Sequence, residues 1–230
     1  MMPLALREQR GEQMDDPALD REIYRTVLAD LARVNRWTLA ARPTLAFLGR
    51  AIAPGEGFTL LDVGFGHGDM LRRIARWARR RGNPVELVGV DLNPSSAAVA
   101  RSATPAALPI VYRTGDYRAL AGRFDFVVSS LVAHHMSPGE LEDFIRFMER
   151  SARRGWLIND LHRHTLAWLG FPLLARVLRT HRIVRQDGAL SIARAFRPDE
   201  WQAILHACGV PGQARVVRRF PFRLCVERRF

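Results

Sequence analysis

Apolar positions along the chain follow two periods that alternate in blocks. Leu19, Ile23, Val27, Leu28 and Leu31 recur at helical spacing, and Asp16-Pro17 can open that helix. A second helix is expected over Trp37–Ala51, bounded by Pro54-Gly55. Short apolar runs then follow at Phe58–Leu61, Val85–Val90, Ile110–Arg113, Phe124–Ser129 and Gly155–Asn159. Helical patterns separate them over Met70–Arg81, Ser95–Ser102 and from Ser137-Pro138-Gly139-Glu140 onward, the last a capping box with Pro at the first position. Continuous apolar runs suit parallel strands covered on both faces. A last helix opens at Phe196–Trp201 and stops at Cys208-Gly209, ahead of two strands, Ala214–Arg219 and Arg223–Arg228, around Pro221.

Two stretches fall outside this alternation. Met1–Met14 has no clear period and is expected to fray. Thr165–Phe196 is an insertion rich in large apolar residues, with Gly170 and Pro172 as expected breakers and a basic second half. The organisation expected is a flexible 1–14, a single domain over 15–230, a helical cap over 15–53 and an inserted lid over 161–196.

The most informative stretch is Thr59–Met70, TLLDVGFGHGDM. It reads as a buried strand, a tight glycine turn and a helix start. Glycines there admit positive φ and let a ligand lie on bare backbone. The next strand ends in Asp91, at the separation at which a carboxylate reaches ribose hydroxyls. A dinucleotide fingerprint would carry its third glycine one residue later, where Asp69 stands. A carboxylate there repels a pyrophosphate, whereas Asp62 and Asp69 together suit a ligand with a positive group. A P-loop is excluded because it requires Lys, and this chain has none.

The order D-x-G-x-G-x-G over Asp62–Gly68, followed by Asp91, resembles the class I S-adenosylmethionine-dependent methyltransferases, in particular the members acting on small molecules. The resemblance covers about Phe58 to the end. It implies an α/β, doubly wound, Rossmann-like sheet of seven mostly parallel strands, closed by a C-terminal antiparallel hairpin. It implies S-adenosylmethionine as cofactor, with contacts from Asp62, Gly64, Phe65, Gly66, Gly68, Asp91 and Leu92. Thr114-Gly115-Asp116-Tyr117 resembles the motif whose acid accepts from the adenine amino group, so Asp116 and Tyr117 are expected at the ring, and Ser130, at the exit of the fourth strand, is expected to contact the cofactor. The N-terminal helices either pack on the core or cap the cofactor, with Arg36 or Tyr24 near its carboxylate tail.

Composition narrows the function. All 35 basic residues are Arg and the net charge is +12. Such a wholesale Arg preference beside abundant Ala is that of a GC-rich coding bias rather than of a phosphate-binding face, so nucleic acid is not the expected partner. The chain also lacks the Asn/Asp-Pro-Pro-aromatic motif of N6-adenine methyltransferases, and its two Cys, Cys208 and Cys225, come too late for a cytosine C5 enzyme. They provide no metal spacing and no disulfide framework. With no signal pattern and no apolar run long enough to span a bilayer, a cytoplasmic protein is expected. An interfacial membrane contact or a homodimer through the insertion remains open.

Methyl transfer from a sulfonium needs placement and, for an alcohol or phenol, removal of a proton. His134, His135 and His162, at the exits of the fourth and fifth strands, are the candidates. No metal is expected: neither a Cys pair nor a His-x-x-x-His arrangement is present, and Asp160 alone recommends one. The expected reaction is O-methylation of a small apolar, aromatic or polyketide-like acceptor. The alternatives are C-methylation of a phenol, quinone or isoprenoid-type lipid, and a non-catalytic cofactor-binding protein.

Overall fold

The computed structural model describes all residues except 1–3, 17, 121, 123 and 211. Helices α1 (Arg21–Trp37) and α2 (Arg42–Ala51) precede β1 (Phe58–Val63). Then come α3 (Asp69–Arg80), β2 (Val85–Asp91), α4 (Ser96–Ser102), β3 (Ile110–Thr114), β4 (Phe124–Ser130), α5 (Pro138–Ser151) and β5 (Ala152–Leu161). The chain continues through α6 (Thr165–Val177), α7 (Arg182–Arg194), α8 (Pro198–Ala207), β6 (Arg215–Arg219) and β7 (Arg223–Arg229). One seven-stranded sheet forms in the order β3-β2-β1-β4-β5-β7-β6. Strands β1 to β5 pair in parallel, and β7 runs antiparallel to both β5 and β6. The order reverses between β1 and β4, and ligands of open α/β sheets bind at the carboxyl ends beside such a switch point.

The period-two alternation of the strands separates two cores. Phe58, Leu60, Phe126, Val128 and Leu157 face α2, α3 and α4, where Phe47, Leu48, Leu71 and Ile74 are buried. Leu61, Val63, Val127, Trp156 and Ile158 face α5 and α8, against Phe144, Met148, Trp201 and Leu205. Both faces of the central strands are therefore dry, and removing a fully buried Leu such as Leu60 would cost about 2–5 kcal/mol. The expected capping box at α5 is present: Ser137 Oγ accepts from Glu140 N, and the Glu140 carboxylate from Ser137 N. It holds α5 back from the β4 exit, leaving that edge to the loop that carries the histidines.

Three expectations change. Helix α1 starts at Arg21 rather than Asp16, because Asp20 is the cap and accepts from Glu22 N and Ile23 N; Pro17 lies outside the described residues. Gly170 and Pro172 do not break α6. Proline removes one amide donor, but α6 is clamped against α7: a Cβ at Gly188 would lie 2.0 Å from Phe171 Cε1. That packing outweighs local propensity.

The third change is at the N-terminus, where residues 4–16 are folded onto the body. Leu4 is buried, and its carbonyl accepts from Arg197 Nη2 at 2.6 Å. Arg7 donates to the carbonyls of Arg194, His134 and Met136. Arg194 Nη1 donates to the Arg10 carbonyl, and Asp187 accepts from Met14 N. The segment has no hydrophobic period because arginine-to-carbonyl bonds and the isolated apolar contacts of Leu4 and Met14, rather than a continuous apolar face, hold it.

Candidate functional site

At the carboxyl edge of β1, β2, β4 and β5 lies a cavity of about 1050 Å³. That is at the upper end of the roughly 300–1,000 Å³ found for ligand pockets, with room for a nucleoside and a second molecule. Its walls come from the N-terminal segment, α1, the β1–α3 loop, the exits of β2, β4 and β5, helices α6 and α7, and the β6–β7 turn.

The glycines of the β1–α3 loop have different duties. Gly64 has φ +76°, and a Cβ there would fall 2.3 Å from Val132 Cγ2. Gly68, with φ +75°, abuts the Tyr112 hydroxyl and does not line the cavity, so its duty is packing at the start of α3 rather than ligand contact. Gly66 is different. Its φ is +51°, and a Cβ would meet only Leu28 Cδ2, at 3.5 Å, so its exposed side is open cavity. Asp91 Oδ2 accepts from Gly66 N at 2.8 Å and Oδ1 from Asn93 N at 2.9 Å. The same carboxylate thus shapes the loop and keeps a lone pair on each oxygen for a ligand. Burial raises its pKa, against the lowering effect of these bonds. Tyr24 extends this wall, its hydroxyl 2.8 Å from Ser96 Oγ.

Asp62 lies under the loop, 1% exposed. Among the described residues neither of its oxygens has a hydrogen-bond partner. Burial, with Asp69 and Asp91 close by, pushes its pKa well above the usual carboxylate range. Burial likewise raises Asp69, against the lowering influence of Arg72 and Arg73. An unsatisfied buried carboxyl facing a cavity costs free energy until a donor or cation reaches it. A ligand with a positive group and bare space at Gly66 is what this donor set fits, as S-adenosylmethionine does.

The histidines form the opposite wall. His134 is buried between two acids. Its Nδ1 lies 2.7 Å from Asp160 Oδ1, its backbone N donates to Asp160 Oδ2, and its Nε2 lies 3.7 Å from Glu12 Oε1. His135 Nδ1 lies 2.8 Å from Asp15 Oδ2, and its Nε2 is 3.9 Å from Glu12 Oε1. Burial disfavours the His135 cation, but Asp15 and Glu12 prevail and its pKa is raised. His162 also lines the cavity. Burial, with Arg218, His164 and neighbouring arginines, lowers its pKa to about 4.

Phe65, Leu92, Tyr117 and Ser130, also proposed as cofactor contacts, line the cavity. Three expected residues do not: Gly68, which packs behind the loop, Arg36 and Asp116. Arg36 is exposed on the outer side of α1 and is not part of the wall. Asp116 is also absent from it, because Arg118 takes its carboxylate through N, Nε and Nη2. An acid two residues before an Arg at a turn favours that local pair. Conversely, Glu12, Asp15 and Arg223 were not foreseen. Arg223 opens β7 fully buried, donates to Thr38 Oγ1 at 3.2 Å, and has no partner for Nη1 among the described residues. Its one sequence signal is position, since the first residue of a closing strand beside β5 falls at the ligand edge.

Residues 60–155 match the family model described as a methyltransferase domain. An uncharacterized methyltransferase of Synechocystis sp. is 30% identical over 127 residues, which cover 54% of this chain and 56% of that protein. The ubiquinone biosynthesis O-methyltransferase of Chelativorans sp. is 28% identical over 167 residues, 70% of this chain and 62% of that one. The chain thus spans less than two thirds of the length of these two curated relatives. Among solved structures, magnesium protoporphyrin IX methyltransferase from Synechocystis PCC 6803 with bound SAH superposes with a TM-score of 0.56 at 15% identity, covering 94% of this chain and 90% of that one. The fold is therefore that of the class I S-adenosylmethionine-dependent methyltransferases.

Proposed function

We propose that this protein transfers the methyl group of S-adenosylmethionine to an oxygen of a small apolar acceptor, aromatic or polyketide-like in character. The observation that carries the reading is a single cavity joining the nucleoside end, at Gly66, Asp91 and Asp62, to the histidine wall. Phe171 and Leu174 of α6 and Ile183 and Val184 of α7 line the space between, so the acceptor is selected by apolar burial.

In this reading Asp91 takes the ribose hydroxyls and Asp62 the positively charged end of the cofactor. Arg223 takes its carboxylate. The sulfonium methyl is already an electrophile, so the chain's task is to align the acceptor oxygen behind it and take its proton. His134 is suited to that: a carboxylate at Nδ1 fixes the tautomer that leaves the Nε2 lone pair toward the cavity. The similarity to a ubiquinone biosynthesis O-methyltransferase supports oxygen as the acceptor atom. The test is to incubate the protein with S-adenosylmethionine and a panel of phenols, hydroxyquinones and polyketide acids, following S-adenosylhomocysteine release and product mass. Methyl ethers are expected. Carbon-methylated products would move the reading to its nearest alternative, and cofactor binding without turnover on any acceptor would refute it.

A further inference from the structure

We propose that Glu12, His134 and His135 form a binding site for a divalent transition-metal ion of the zinc class at the wall of the acceptor cavity. This deepens the reading of the histidine pair as the proton-handling group and rests on it only for the ion's catalytic use. Binding itself is a property of the resting protein.

The inference follows from hydrogen counting. An ionised carboxylate can only accept. Asp160 Oδ1 at 2.7 Å from His134 Nδ1 and Asp15 Oδ2 at 2.8 Å from His135 Nδ1 therefore both place the imidazole hydrogen on Nδ1. In the neutral rings both Nε2 atoms are then bare lone pairs. They point to the same place: each lies within 3.9 Å of Glu12 Oε1, and the three atoms all lie within 4.8 Å of one another. Glu12 Oε1 is buried without a hydrogen-bond partner among the described residues, and its side chain is 2% exposed. With both rings neutral, three acceptors thus converge with no hydrogen bond between them, a repulsion that a metal cation at their centre, or a proton on one Nε2, relieves.

The surroundings match those of an ion site. Metal-bound histidines commonly give their other ring N–H to a carboxylate, which orients the ring and raises its basicity; here both do. Two imidazole nitrogens and one carboxylate oxygen suit zinc, with a fourth position open for water or an acceptor oxygen. Arg194 Nε lies 3.9 Å from Glu12 Oε1 and is an opposing charge beside the site. It is directed mainly at the carbonyls of Arg10, His134 and His135, where it holds the ligand loop. The separation of Glu12 from the histidine pair by some 120 positions hides the cluster from any reading by spacing. With the ion bound, an acceptor hydroxyl at the open position would be acidified by the metal rather than by free imidazole.

Chelator-stripped protein, purified without a polyhistidine tag, should be titrated with Zn²⁺ by calorimetry and with Co²⁺ by visible absorption. One high-affinity equivalent, with Co²⁺ bands of tetrahedral nitrogen and oxygen ligation, is expected. Glu12→Gln and His135→Asn should remove it. Asp15→Asn, a partly exposed orienting residue, should weaken it by roughly 10–100-fold while preserving the fold by circular dichroism. The surface variant His206→Gln should bind as the wild type does. Absence of a tight equivalent in the wild type, or an equivalent unaltered in Glu12→Gln and His135→Asn, would overturn the site. Methyl transfer by the stripped protein with no ion binding would sink the metal and leave the proposed function standing; loss of S-adenosylmethionine binding would sink the function whatever the ion does.

Discussion

Asp91 Oδ2 accepts the backbone N–H of Gly66 at 2.8 Å, so the acid that ends β2 holds the glycine that faces the ligand. Ribose recognition and loop shape are thereby one device. Replacing Asp91 by Ala removes a charged acceptor from the ligand and frees Gly66 N. Cofactor binding should weaken by about 1.5–3 kcal/mol, tenfold or more in affinity. Asn retains one acceptor oxygen and should lose less. Calorimetric titration with S-adenosylmethionine checks both, and unchanged affinity in Asp91→Ala would remove the ribose assignment.

Gly66→Val should abolish cofactor binding for two separable reasons. The residue sits at φ +51°, where a β-branched side chain is strained, and the branch would project into the ligand's space. The protein should remain folded, because inside the chain only Leu28 approaches. A soluble Gly66→Val variant that binds S-adenosylmethionine normally would show that the loop is only a turn.

Much of this arrangement was legible in the sequence, since the strands are continuous apolar runs and the glycine loop is local. Asp62, Gly66, Asp91, Tyr117 and the histidines follow from that frame. Glu12, Asp15 and Arg223 do not: each reaches the cavity through a long-range fold-back or an antiparallel closing strand. Arg36 and Asp116 were misplaced for a converse reason. Helix phase put the first outside, and a neighbouring guanidinium took the second.

Asp62 should make stability depend on pH with a definite sign. Its folded pKa is raised, first by burial and then by Asp69 and Asp91, whereas in the unfolded chain it is about 3.9. Between those values the folded state holds the extra proton, so its contribution is fully present below the unfolded pKa and is lost as pH rises through the folded one. Asp62→Asn should therefore melt higher than the wild type at neutral pH, by about 2–4 °C per kcal/mol, with the gap closing in acid. The same variant should bind S-adenosylmethionine less tightly, and the wild-type affinity should rise with pH as the carboxylate forms. Thermal melts across pH, with and without cofactor, read both effects; an Asp62→Asn protein less stable than wild type at pH 7 would refute the account.

The identity of the proton acceptor is decided by where the rate inflects. A phenol has a pKa near 10, so at neutral pH it enters the cavity protonated, and a positioned imidazole should contribute roughly 10²–10⁴-fold. The base acts only when neutral, so in chelator-stripped protein the rate should climb with pH through its titration and then flatten. His162, lowered to about 4 by burial and its cationic neighbours, would place the rise in acid. His135, raised by Asp15 and Glu12 against burial, would place it above the ordinary histidine value near 6.5. His134 has the firmer geometry, with Asp160 on both its Nδ1 and its backbone N. His134→Gln is expected to remove most of the rate while leaving cofactor affinity nearly unchanged. Asp160→Asn should lower the rate through a misplaced tautomer without altering cofactor affinity, because Asn can donate to Nδ1 and drive the hydrogen onto Nε2. Gln placed in turn at His134, His135 and His162, assayed across pH, separates the three. Wild-type rates and profiles in all of them would leave catalysis to proximity and orientation alone, as for an acceptor that arrives already ionised.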